Sequence, residues 1–379
     1  MYKYPHLIQE NTAPIGAKSI GVYNENGKRI GGFGLGRLSP SLSNADKLYR
    51  FLTISDDHIT KDTAVADLER ALTYAENSDC AFTCIGGDLT DNGSDTQLER
   101  HKSIVSTYAK TKPVYAMGGN HETIWGYMTF DRLTPYTGKP MFYSLGMNRK
   151  GSCVDSDVSK TPKAYDESVK DVFIMVSHYG KYHEKSDNDA GREGWFSTEF
   201  VSVEELQWLY ETLEANRNKR CFVFIHVYPY DDGVGDANRY YGGGQWRTKD
   251  GGVGQALISL LRHYKNVILF HGHSHLRFWL QEVDKKANYS SEVGYRSVHI
   301  PSLSVPRDKV DGKIDYVYAE SEGYVVDVFD DCIILNGRDF IDNDANGHGI
   351  GIATYKIDTT LQTVEENAFT DSTGTIKKE

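Results

Sequence analysis

The sequence predicts an α/β protein, on three observations. Short apolar runs of strand length alternate with stretches of helical period. Successive runs end in a polar residue or pair. The joints are rich in glycine, with 36 Gly against 10 Pro, which reads as tight loops rather than disorder. With 39% hydrophobic residues, including 25 Tyr and 15 Phe, the chain can fill a sizeable core. Its 379 residues predict about two domains, or one large domain with extensions.

Composition removes some function classes. The formal net charge is −11, which argues against a broad basic surface for nucleic acid. A nucleic-acid substrate is not favoured, although a local positive site made by metals stays open. No apolar stretch opens the sequence and no run spans a bilayer, so neither a signal peptide nor a membrane segment is expected. The 5 cysteines sit mostly in strand-like runs and read as reduced thiols in a cytoplasmic protein. Cys80 and Cys84 lack the partner pair a zinc site needs.

Taken in order, residues 1–48 read as an extension. Residues 19–36 predict a hairpin around Asn26-Gly27, a type I′ turn pair. Gly32-Phe33-Gly34-Leu35-Gly36 lacks phosphate-loop spacing, and no helix follows it. Ser39–Asp46 reads as a linker. Arg50–Ser55 is a strand that runs into Asp56-Asp57-His58. Asp56 and His58 are two apart, so they share a face, and Asp57 points the other way. A carboxylate beside an imidazole suits Zn, Mn or Fe. A helix carrying Ala64, Leu68, Leu72 and Tyr74 follows. Cys80–Ile85 is the next strand, ending in Gly86-Gly87-Asp88-Leu89-Thr90-Asp91. A helix from about Asp95 to Lys110 leads to Val114–Met117 and Gly118-Gly119-Asn120-His121-Glu122. In a parallel α/β sheet these strand ends gather in one crevice.

Val172–Val176 and Cys221–Ile225 are strands ending near His178 and His226. An amphipathic helix precedes the second, with Val203, Leu206, Leu209, Tyr210 and Leu213 on one face. Val267–Phe270 runs into His271-Gly272-His273-Ser274-His275, whose alternate histidines share a face if extended. Asn148–Lys170 reads as a polar insertion. Asp231–Gly254 is a long Gly-rich loop that carries Tyr240, Tyr241, Trp246 and Arg247 and could line a site mouth. Residues 293–305 read as a closing strand and loop. Tyr324–Val328 and Cys332–Leu335 are antiparallel strands. Asp342–Gly347 imitates an EF-hand start, but position twelve is Ala353, so it reads as a hairpin loop.

Asp56-x-His58, Gly87-Asp88, Gly119-Asn120-His121-Glu122, a later lone His and Gly272-His273-x-His275 resemble the motif set of the calcineurin-like metallophosphoesterases, in order and in strand-end placement. The resemblance covers roughly residues 49–305. It implies a four-layer α/β/β/α sandwich of two mixed sheets flanked by helices, with residues 306–379 as C-terminal strands and tail packed on it. It also implies two divalent metal ions, Mn, Zn or Fe. Asp56, His58, Asp88 and His275 would hold one; Asp88, Asn120, His226 and His273 would hold the other. His226 is preferred to His178 because the helix before it and His226-Val227-Tyr228-Pro229 match the family pattern. The implied reaction is hydrolysis of a phosphate monoester or diester by a metal-bridging hydroxide.

His121 would then donate a proton to the leaving oxygen or stabilise phosphoryl charge. Glu122 either orients His121 or is a solvated helix-start carboxylate. Asp91 stands where purple acid phosphatases carry a metal-binding Tyr, so it supports the site or caps a helix. His178 is a nearby support or substrate contact, or simply a strand-end His, and His271 reads as strand-end packing. The expected partner is a phosphorylated small molecule or phosphodiester. The rival readings are an accessory protein that keeps the fold without chemistry, and a DNA-end nuclease.

Overall fold

The structure is a computed structural model. It describes residues 47–60, 62–123, 133–155, 161–179, 201–227, 253–278, 296–310, 313–317 and 320–343, with strand segments at 6–7, 19–23, 29–34, 181–182, 198–199, 289–290, 349–358, 369–370 and 375–376. The Asn26-Gly27 turn, the Ser39–Asp46 linker, residues 231–252 and residues 344–347 lie outside these. The strands Ser19–Tyr23 and Arg29–Gly34 do pair antiparallel, as a hairpin requires.

Tyr49–Ile54 (β1), Cys80–Ile85 (β2) and Val114–Ala116 (β3) run parallel. Between them lie Asp62–Asn77 (α1) and Asp95–Tyr108 (α2). Phe142–Met147 (β4) and Asp171–Val176 (β5) follow. Next come Val203–Ala215 (α3), Arg220–Ile225 (β6), Val253–His263 (α4) and Val267–His271 (β7). Tyr289–Ser290 (β8), Arg296–His299 (β9) and the hairpin Arg307–Val310 (β10) with Lys313–Tyr316 (β11) lead to the last long strands. These are Glu322–Val328 (β12), Cys332–Asn343 (β13) and Gly349–Asp358 (β14).

Two mixed six-stranded sheets result, ordered β14-β13-β12-β1-β2-β3 and β8-β9-β7-β6-β5-β4. The C-terminal strands are continuous with the first sheet, because β12 pairs antiparallel with β1. Strands β5, β6, β7 and β9 are parallel, with antiparallel strands at both edges.

Alternation along the strands builds the layers. In β5, Val172, Ile174 and Val176 join the cluster that holds the helix side chains, while Phe173 and Met175 join the core between the sheets. Phe222 and Phe224 of β6 and Ile268 and Phe270 of β7 fill that same inner core. Phe51 stacks on Phe82 with ring centres 5.3 Å apart and meets Phe173 of the other sheet edge-on at 5.2 Å. Helix α1 buries Ala64, Leu68, Ala71, Leu72 and Tyr74. Helix α3 starts with a capping box, Ser202 accepting from the Glu205 amide and Glu205 from the Ser202 amide. One expected core residue is misplaced: Val203 is 71% exposed, because the first residue after the cap faces outward. The 5 cysteines are free thiols. Among the described residues no helix is long and apolar enough to cross a membrane.

Candidate metal centre

Strand ends from both sheets deliver the candidate residues to one place. Asp56 and His58 follow β1, Asp88 follows β2, and Asn120 and His121 follow β3; His226 follows β6, and His273 and His275 follow β7. Backbone hydrogen bonds tie the loops together. Asp56 N–H donates to Gly87 O, His58 N–H to Asp88 O and Gly272 N–H to His226 O, each at 3.0 Å.

Two groups of ligand atoms form. Asp56, His58, Asp88 and His275 place theirs within 4.8 Å of one another, and so do Asp88, His226 and His273. Asp88 belongs to both. His275 Nε2 lies 2.9 Å from Asp56 Oδ1 and 3.2 Å from His58 Nε2. His226 Nε2 lies 3.0 Å from Asp88 Oδ2. Asn120 Oδ1 lies 2.8 Å from His273 Nδ1. Asp88 Oδ2 and His226 Nε2 are buried and find no hydrogen-bond partner beyond each other. Buried polar atoms are normally satisfied; a divalent cation ligated by both would satisfy both, so the donor set fits metal.

The backbone that achieves this is not extended. Asp56, His58, Asp88, His273 and His275 have φ of 57°, 44°, 51°, 73° and 64°. The face-sharing argument from strand alternation therefore fails here; the paired residues converge because the chain turns between them. Left-handed non-glycine residues cost on the order of 1–3 kcal/mol each and persist where the surroundings enforce them. Close approach of backbone requires two glycines. A Cβ on Gly119 would collide with the carboxylate and amide nitrogen of Asp88, and one on Gly272 with Ser55 Oγ and Asp56 Oδ2.

Neighbouring carbonyls set the tautomers. His226 Nδ1–H donates to Gly86 O at 2.8 Å, and His275 Nδ1–H to Val305 O at 3.0 Å. Each Nε2 is then the nitrogen that faces the site, as a ligating imidazole needs. Burial works to raise the Asp56 and Asp88 carboxyls. The imidazoles of His275 and His226 overcome it for Asp56, and those of His226 and His121 for Asp88, so both stay well below the usual range. Burial pushes His226 down, but Asp88 and Asp56 carry it up to about 9. His58 is raised the same way, burial being overcome by Asp91, Asp88 and Asp56. The buried carboxylates thus demand positive charge. Burial lowers His275 to about 4 and His273 well below its ordinary value.

The remaining candidates fall around this centre. His121 Nδ1–H donates to Asp91 O at 2.5 Å, its ring meets His58 at 4.5 Å, and its Nε2 is 4.0 Å from Asp88 Oδ2. Asp91 Oδ1 lies 3.7 Å from His58 Nδ1, and Asp91, His58 and His121 form a third, more exposed group. Asp91 does not cap α2, whose N-cap is Ser94. Glu122 differs from both expectations. It is buried and accepts hydrogen bonds from Thr90 N, Thr90 Oγ1 and Gly119 N at 2.7–2.8 Å, bracing the β2 and β3 loops against each other; the orienter of His121 is the Asp91 carbonyl. His178 bonds Thr123 Oγ1 at 2.8 Å, outside both ligand groups, and burial lowers it to about 3. His271 is buried with its ring 5.3 Å from His299. Asp57 turns away to His101 at 3.1 Å.

Sequence reasoning missed Ser302, whose Oγ–H donates to Asp56 O at 3.0 Å, and the β10–β11 hairpin beside His275. Nothing local marks either; both arrive by long-range packing.

Relatives are recognisable at this point. The calcineurin-like phosphoesterase family model matches residues 49–277. No curated protein matches the sequence. A dimetal phosphatase from Danio rerio is similar in structure at a TM-score of 0.52 and 13% identity, over 84% of this chain and 100% of that one. A purple acid phosphatase from yellow lupin (Lupinus luteus) seeds gives 0.48 and 14%, over 90% of this chain and 59% of that one. At so low an identity the first of these speaks to the fold alone. The family match covers more than half of the sequence, and the chain belongs to the calcineurin-like phosphoesterases.

Proposed function

We propose that this protein hydrolyses phosphate esters at a centre of two divalent metal ions, Mn, Zn or Fe. The observation that carries the reading is Asp88, whose carboxylate is shared by two ligand groups. Asp56, His58, Asp88 and His275 would hold one ion; Asp88, Asn120, His226 and His273 would hold the other. When bound, the ions supply Lewis-acid charge for the phosphate and a water acidic enough to attack it near neutral pH.

The chain's own residues do the rest. Asn120 contributes a neutral oxygen, so the centre keeps net positive charge for the phosphate. The Gly86 and Val305 carbonyls hold His226 and His275 in the ligating tautomer. The Asp91 carbonyl holds the Nδ1–H of His121, which leaves Nε2 as the nitrogen that hands a proton to the leaving oxygen. The His121 side chain is 30% exposed, open to an incoming ester, while Asp88 beside it is fully buried. The test is a panel on Mn-loaded protein: p-nitrophenyl phosphate, its bis ester, cyclic nucleotides and single-stranded DNA. Turnover of an ester is expected. Two bound metals with no turnover on any member would favour the accessory-protein reading instead.

A further inference from the structure

Resting on the phosphoesterase reading, we propose that the cleft beside His58 and His275 receives the alcohol part of the substrate and selects an uncharged aromatic alcohol, with Tyr316 as the specificity-determining residue. A cavity of about 300 Å³ opens there, lined by His58, His121 and His275 on the side of the metal centre. His121 is the residue positioned to protonate the departing oxygen, so the group that departs must lie in the space His121 faces. The volume sits at the small end of ligand sites and holds a phosphate with one ring rather than a polymer.

Tyr316, Val305 and Ala64 complete the lining together with Thr60, Thr63 and Ser304. Tyr316 is 38% exposed, and its ring centre lies 6.2 Å from that of His275. The buried Arg307 guanidinium stacks on the Tyr316 ring at 4.4 Å and hydrogen-bonds its hydroxyl. A ring braced in this way is already ordered, so a substrate ring can pack on it with little further loss of freedom. Among the described lining residues there is no lysine or arginine, and the Asp91 carboxylate adds negative charge. A leaving group that carries a second phosphate meets the Asp91 carboxylate there; a neutral ring meets an aromatic surface.

The experiment measures binding to the Mn-loaded protein by calorimetry, with phenylphosphonate and methylphosphonate as non-hydrolysable probes. Phenylphosphonate is expected to bind more tightly by roughly three- to tenfold, the scale of one aromatic contact. Tyr316→Ala should erase that preference, and Tyr316→Phe should keep it. Equal affinity for the two probes in the native protein, a preference that survives Tyr316→Ala, or no binding of either probe overturns the proposal. Because the probes bind without turnover, failure of the substrate panel bears on the catalytic reading and not on this one.

Discussion

At the scale of single residues, the centre is built from side chains whose backbones are individually unfavourable. Five of the proposed ligands sit in the left-handed region. They stay there because Gly119 and Gly272 let neighbouring chain approach within contact of Asp88 and Asp56, and because the loops are cross-tied through backbone amides. Within this frame His121 has a separable duty. Its Nδ1 is occupied by the Asp91 carbonyl and its Nε2 stands 4.0 Å from Asp88, so its loss should remove proton transfer without removing metal. His121→Ala is expected to retain both ions by elemental analysis and to lose roughly 10²–10⁴-fold in kcat, the usual worth of a general acid. Loss of an ion in that variant would make His121 a ligand and reassign its role. Identity and order of these residues were legible in the sequence, because each follows an apolar run that local patterning marks as a strand. The conformation that makes them converge was not: alternation along an extended strand joins the same pairs by a geometry the chain does not adopt. Glu122 illustrates the same limit. Its partners Thr90 and Gly119 lie on two different loops, and no local rule joins them.

At the scale of elements, the turn after β7 is fastened to β12 through a buried charge cluster. Arg277 meets Asp308 at 3.0 Å, Glu320 at 3.1 Å and Glu322 at 3.1 Å, and the Phe278 amide donates to Glu322 at 3.0 Å. One guanidinium cannot offset three ionised carboxyls in a buried place, so a proton is kept. Burial above all, with Asp339 assisting and Arg277 opposing, pushes Glu320 up to about 9. The folded value lies above the ordinary carboxyl range of about 4.3. Stability from that proton is therefore complete below the ordinary value and declines as pH rises through about 9. Glu320→Gln keeps a neutral side chain and should lose that decline. Its melting temperature should exceed that of the native protein at pH 9 and match it near pH 4.5. A native protein that gains on the variant between those pH values would show Glu320 to be ionised in the fold. This cluster was invisible in the sequence, since Arg277 and Glu322 meet only when β12 enters the first sheet.

At the scale of the whole molecule, two mixed sheets face each other across an aromatic core, and their strand ends supply one site. Residues from the first sheet give Asp56, His58, Asp88 and Asn120, while the second gives His226, His273 and His275. Relative sheet position is thus part of the site's geometry. Phe173 sits at the junction, stacked on Phe222 at 4.6 Å and edge-on to Phe51 and Phe82 at 5.2 and 5.1 Å. Phe173→Ala should cost about 3–5 kcal/mol in denaturant unfolding, as buried Phe truncations do. A cost under about 1 kcal/mol, far below that range, would mean that the sheets are not locked there. The layer order was legible through the resemblance of the motifs. The entry of β12 into the first sheet beside β1 was not, because antiparallel partners this far apart in sequence leave no mark on either strand.

In the proposed centre one carboxylate, Asp88, serves two metal ions. That sharing is tested most directly by counting ions bound at saturation, by elemental analysis of Mn-loaded protein, in the native chain and in Asp88→Asn. About two ions per native chain are expected, the number a shared-carboxylate pair requires, with loss of both in the variant together with ester hydrolysis. A single ion in the native protein, or two ions retained in Asp88→Asn, would contradict it.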